Sequence, residues 1–131
     1  MKYILMMHIQ KAGYGTFGAW SDKDIAANFA FVKGLNKALS ESGEFVAADG
    51  LTLPDQARVV RAGKDGVPVT DGVFPESKEF LAGYWVIDVE SPEQAYRWAA
   101  RASAAPGAGG QPANLPIEVR QVLGGPSDLG I

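Results

Sequence analysis

No cysteine occurs anywhere in the 131 residues. That absence removes disulfides, thiolate nucleophiles and cysteine-ligated metal together, and it suits a reducing compartment or an indifferent one. Histidine is almost as scarce, with His8 standing alone. One histidine without cysteine argues against a zinc site, and no serine has a histidine partner at a supporting spacing. Basic charge is not in excess either: 12 Lys and Arg stand against 15 Asp and Glu, a net charge of −3. Without a basic stripe, nucleic acid is not the expected partner. No apolar run approaches the ~18–20 residues of a membrane span. The opening "MKYILMMHIQ" loses its apolar character at His8 with no small-residue cleavage site behind it, so it does not read as a signal peptide. A soluble, cytoplasmic protein is the expectation. Neither a dinucleotide glycine motif nor a phosphate-binding loop is present, so no cofactor and no metal are expected.

What is present describes a globular chain, 47% hydrophobic and 21% charged. Its length fits one domain over 1–131, with 124–131 ("GGPSDLGI") read as a tail free to move. Residues 2–10 alternate as a strand, Tyr3, Leu5, Met7 and Ile9 making an apolar face and Ile4, Met6, His8 and Gln10 a mixed one. After the glycine- and aromatic-rich loop 11–20, a helix is predicted from Ser21 or Asp22 to about Glu41. Ile25, Phe29, Val32, Leu35 or Asn36, and Leu39 form its apolar stripe. Ser21 with Asp24 has capping spacing, and Gly43 is a natural stop.

A second strand is expected within 44–53. A hairpin over 57–72 turns at Lys64-Asp65-Gly66, and a strong strand spans 83–90. Ser91-Pro92-Glu93-Gln94 is the clearest helix start in the chain, and that helix stops at Pro106-Gly107. A flexible loop over 107–116 then leads to a last strand over 117–123. The order β-α-β, hairpin, β-α-β is that of an α+β ferredoxin-like protomer, an antiparallel sheet with both helices on one face. The other face needs cover. A sheet-to-sheet homodimer, a dimeric α+β barrel, is the simplest solution.

The segment "VTDGVFPESKEFLAGYWVIDVES" resembles the signature region of the YCII-related superfamily, in the DGPF branch named after its Asp-Gly-Pro-Phe motif. Asp71, Gly72, Phe74, Glu76, Lys78, Glu79, Gly83 and Tyr84 stand at the motif's places. "KYILMMH", "GLTLP", "SPEQAYRWAARAS" and "IEVRQV" extend the resemblance over nearly the whole chain. It implies a dimeric α+β barrel of ferredoxin-like protomers, in a family whose chemistry is largely undefined and some of whose members are similar to small-ring isomerases and dehalogenating enzymes. There are departures. Val73 replaces the motif's proline, Gln121 replaces another, and the first helix has no histidine and 102–117 no acidic residue. The superfamily's suspected His–Asp pair therefore has no counterpart here.

His8 lies on the mixed strand face, which should point away from the helices into the barrel, where a neutral imidazole suits a proton shuttle. Its plain alternative is a strand-end histidine bonded to backbone. Asp71 is either a turn residue of Asp71-Gly72 or the partner carboxylate of His8, a role open equally to Glu76. Glu76 and Lys78 either line a substrate or tie the hairpin to the barrel. Tyr84, Asp88, Glu118 and Arg120 share the inward direction with His8, and Arg120 is a natural fork for a carboxylate or carbonyl. These charges either pair with one another or receive a ligand. Two functions follow: a cofactor-independent isomerase or lyase acting by proton transfer on a small carbonyl or ring compound, or a non-catalytic ligand-binding or regulatory accessory protein.

Overall fold

The computed structural model describes residues 1–10, 20–71 and 78–131. Chain order runs β1 (Lys2–Gln10), α1 (Asp22–Glu41), β2 (Phe45–Gly50), β3 (Val59–Ala62), β4 (Pro68–Asp71), β5 (Glu79–Asp88), α2 (Pro92–Ser103) and β6 (Ile117–Gln121). Four strands make one sheet in the order β2-β5-β1-β6, while β3 and β4 pair only with each other. Every neighbouring pair is antiparallel. Placing β5 between β1 and β2 is the split β-α-β arrangement, and both crossover helices land on one face. The fold is α+β and ferredoxin-like, as the element order implies.

The helix-side face of the sheet is the core. Tyr3 and Leu5 of β1, with Trp85 and Ile87 of β5, are buried beneath Leu35 and Leu39 of α1 and Ala95, Ala99 and Ala102 of α2. Alanine on α2 lets that helix lie close to the sheet. A polar bond crosses this layer: the Trp85 indole N–H donates to the Asn36 amide oxygen at 2.8 Å. A buried Trp N–H needs such a partner, because leaving it unmet costs ~1–3 kcal/mol.

Both helix starts follow their sequence signals. The Ser21 hydroxyl accepts from the Asp24 N–H, and the Asp24 carboxylate accepts from the Ser21 N–H, each at 3.1 Å. At α2, Ser91 accepts from the Gln94 N–H, while the Gln94 side chain reaches one residue further back, to the Glu90 N–H. The hairpin turns where expected, with Asp65 at φ 58° and Gly66 at φ 77°, two adjacent left-handed residues.

Four expectations need correction. Strand β5 begins at Glu79, four residues before the predicted start at Gly83, because the register slips between Met7 and His8 and leaves Ala82 without a partner on β1. This bulge puts Phe80 on the same side as Trp85 despite their odd spacing, which breaks the alternation a sequence reading relies on. Helix α2 ends at Ser103 and β6 at Gln121, both short of their predicted limits. The 107–116 segment is pinned, not a free linker: the Gly107 N–H donates to Gln111, Ala113 to Ala105, and the Leu115 carbonyl accepts from the Ser103 hydroxyl. The apolar stripe of α1 is present as predicted and divides along its length. Leu35 and Leu39 are buried, but Phe29 is 71% exposed and Ile25 39%. Past β6, residues Pro126–Leu129 form a 3₁₀ turn.

Candidate functional site

Because β1 is central, its non-helix face collects side chains from both neighbours. Ile4 pairs with Val86 on β5 and Arg120 on β6, and Met6 pairs with Tyr84 and Glu118. Residues opposite one another share a face, so His8, Tyr84, Glu118 and Arg120 all stand on the face opposite the helices. None of the residues between them is charged: Ile4, Met6 and Val86 make an apolar middle, half-buried in the single chain.

At the β6 side of this face three groups form a line. The His8 Nε2 lies 3.4 Å from Glu118 Oε1, and the other Glu118 oxygen lies 3.7 Å from Arg120 Nε. The first contact is an ion-pair distance without hydrogen-bond alignment, and Nε2 is shielded from solvent with no hydrogen-bond partner. A ring nitrogen so placed has capacity left for a further partner. Glu118 and Arg120 are themselves exposed, 47% and 71%, so this is a surface cluster of the single chain, open to whatever covers the sheet.

Towards the β2 edge the same face carries a second polar pair. The Tyr84 hydroxyl donates to Asp49 Oδ2 at 3.2 Å, and that carboxylate, by bond and by charge, holds the phenol above its ordinary 10.0. Register accounts for the meeting: Asp49 lies directly opposite Tyr84. Asp88, at the far end of the face, is 3.0 Å from the Met1 ammonium.

Asp71 lies apart from His8: it ends β4 and pairs with Arg61 across the hairpin at 3.1 Å, both 59% exposed. Lys78 is exposed just ahead of β5. Glu76, and the Gly72 half of the Asp-Gly turn, lie outside the described residues. Among the described residues, the carboxylate beside His8 is that of Glu118. It comes from 110 positions along the chain, and only the adjacency of β1 and β6 brings it there.

The helix side of the sheet holds a feature the sequence reading did not reach: a cavity of about 470 Å³ between the N-terminal half of α1 and the ends of β1, β2 and β5. Its α1 wall includes Ile25, Asn28, Phe29, Val32 and Asn36. The sheet contributes Met7, Ile9, Ala48, Phe80 and Trp85, together with Asp49 and the sequence candidate Tyr84, and Leu51, Leu53 and Leu115 come from connecting segments. His8 does not line it. Gly83 lies between the sheet end and β2, where a Cβ would stand 3.1 Å from the Asp49 carbonyl oxygen, closer than most such contacts. Among the described residues, no group of three His, Cys, Asp or Glu is placed to hold a metal ion, and no helix is long and apolar enough to cross a membrane.

A ferredoxin-like sheet with a charged line on its uncovered face defines a class of small α+β proteins. Within it the affiliation is direct: residues 1–118 match the model of the YCII-related domain, and the chain belongs to that family. No curated protein matches the sequence.

Proposed function

We propose that the protein is a homodimer, two sheets packed face to face into an α+β barrel, and that the His8–Glu118–Arg120 line is a cofactor-independent proton-transfer site for a small carbonyl or ring compound. The observation that carries this is the His8 Nε2, shielded from solvent, without a hydrogen bond, and beside a carboxylate that is itself tied to a guanidinium. Glu118 orients the imidazole, the part expected of Asp71 or Glu76. Arg120 grips the substrate's carbonyl or carboxylate oxygen and takes up charge as it becomes an enolate. Neutral His8 removes the proton from the adjoining carbon and returns it to a neighbouring atom, which is isomerisation with no net redox change. The second copy excludes water from a face whose apolar middle would otherwise stay wet.

A non-catalytic ligand-binding or regulatory role uses the same cluster for recognition alone. The missing His–Asp pair of the superfamily favours it. One experiment separates the two: incubation in D₂O with pyruvate or a five-membered unsaturated lactone, following loss of the α-proton NMR signals. The catalytic reading expects exchange that falls ~10²–10⁴-fold in His8→Ala, with light scattering reporting a dimer. Equal rates in both proteins, with saturable movement of the His8 ring signals, would instead establish the binding role.

A further inference from the structure

We propose a second ligand site in this protein, the cavity between α1 and the sheet, built for a neutral aromatic or alicyclic molecule that carries one hydrogen-bond-accepting oxygen. It is distinct from the His8 line: none of His8, Glu118 and Arg120 lines it.

Two observations converge. The first is the unfinished stripe of α1. Its apolar positions run the length of the helix, yet only the C-terminal ones meet the sheet: Leu39 is 1% exposed and Phe29 71%. The N-terminal half stands over a recess and not over packed sheet. The second is that this space is a defined cavity, about 470 Å³, inside the ~300–1,000 Å³ range of small-molecule sites. A flat apolar patch would suit a protein partner; a recess roofed by a helix and floored by a sheet suits a compact molecule.

The chemistry of the walls narrows the occupant. Trp20, Phe29, Phe80 and Trp85 supply aromatic surface, which favours a ring. Among the described residues no Lys, Arg or His lines the cavity, and the carboxylate of its one charged residue, Asp49, is taken by the Tyr84 hydroxyl. An anionic ligand would enter without a counter-charge, so the ligand is neutral. The polar contact is fixed by the Trp85–Asn36 bond. An indole N–H can only donate, so it takes the Asn36 amide oxygen at 2.8 Å and leaves the NH₂ as donor. That donor asks for an oxygen acceptor on the ligand, such as a ketone, ester or ether.

The test uses acetophenone, cyclohexanone and benzoate as probes in ¹H–¹⁵N NMR titrations of the whole chain. The two neutral ketones should shift the Trp85 indole and Asn36 side-chain signals saturably, while the His8 ring signals stay in place. Benzoate at equal concentration should not shift them. Phe29→Ala, a change at an exposed position that leaves the core intact, should weaken ketone binding about tenfold. The proposal is overturned if neither ketone shifts these signals saturably, if benzoate binds as well as acetophenone, or if Phe29→Ala binds the ketones as tightly as the parent chain. Shifts confined to His8 and Met6 would move ketone binding to the open face and equally overturn it.

Discussion

Tyr84 and Asp49 show how a single pairing sets a titration. The Asp49 carboxylate accepts the phenol proton and repels its loss, so the folded protein holds Tyr84 above its ordinary 10.0. The pair stabilises the neutral phenol. Its contribution is complete below 10.0 and disappears as pH rises through the higher folded value. Asp49→Asn should therefore bring the Tyr84 titration down towards 10.0, read from the ring carbon bearing the hydroxyl in ¹³C NMR; an unmoved midpoint would show that the carboxylate is not the cause. How much of the site could be read beforehand differs from residue to residue. The common direction of His8, Tyr84, Glu118 and Arg120 follows from strict alternation along three strands. The choice of Glu118 as neighbour of His8 does not, since it depends on which strand edges meet and in what register. Asp71, close to the signature motif in sequence, is held by Arg61 on a separate ladder.

Helix α1 was legible at its start for a local reason. Ser21 and Asp24 satisfy each other's N–H groups within four residues, so their spacing carries the whole signal. The Ser21 N–H holds the Asp24 carboxyl below its ordinary 3.8. With the folded value depressed, this contribution to stability is present above 3.8 and lost as pH falls below it. Ser21→Ala should lower unfolding free energy by ~1 kcal/mol in urea melts at neutral pH. The acid-sensitive part belongs to the Asp24 carboxylate, so the difference between the parent and Asp24→Ala should shrink in acid. A variant as stable as the parent would mean that the cap does not hold this helix. The early part of β5 was not legible, because only the bulge at Ala82 brings Phe80 and Trp85, an odd number of residues apart, to one face. The stripe of α1 was read as a face, which is all that periodicity reports. Whether anything fills the space beneath Ile25 and Phe29 is a property of the sheet's length and of where α1 crosses it.

In the molecule as a whole, four strands and two helices share one core, and the β3–β4 hairpin stands outside it. None of its residues is buried, and Val60, Val67 and Val69 are all at least half exposed. Its cross-strand ion pair joins two well-exposed groups, an arrangement worth little. A two-stranded ribbon without a packed face is only marginally stable in water. The chain therefore has two clocks. Amide protons of β3 and β4 should exchange with D₂O through local opening, within the dead time of a manual experiment. Those of Leu5, Trp85 and Ile87, at the centre of the sheet, should exchange only when the whole fold opens, orders of magnitude later. Slow exchange throughout the hairpin would mean that something, in solution, packs against it. Since opening the ribbon disturbs no part of the core, its length and sequence can change without penalty to the sheet, and this is where the chain has freedom to vary.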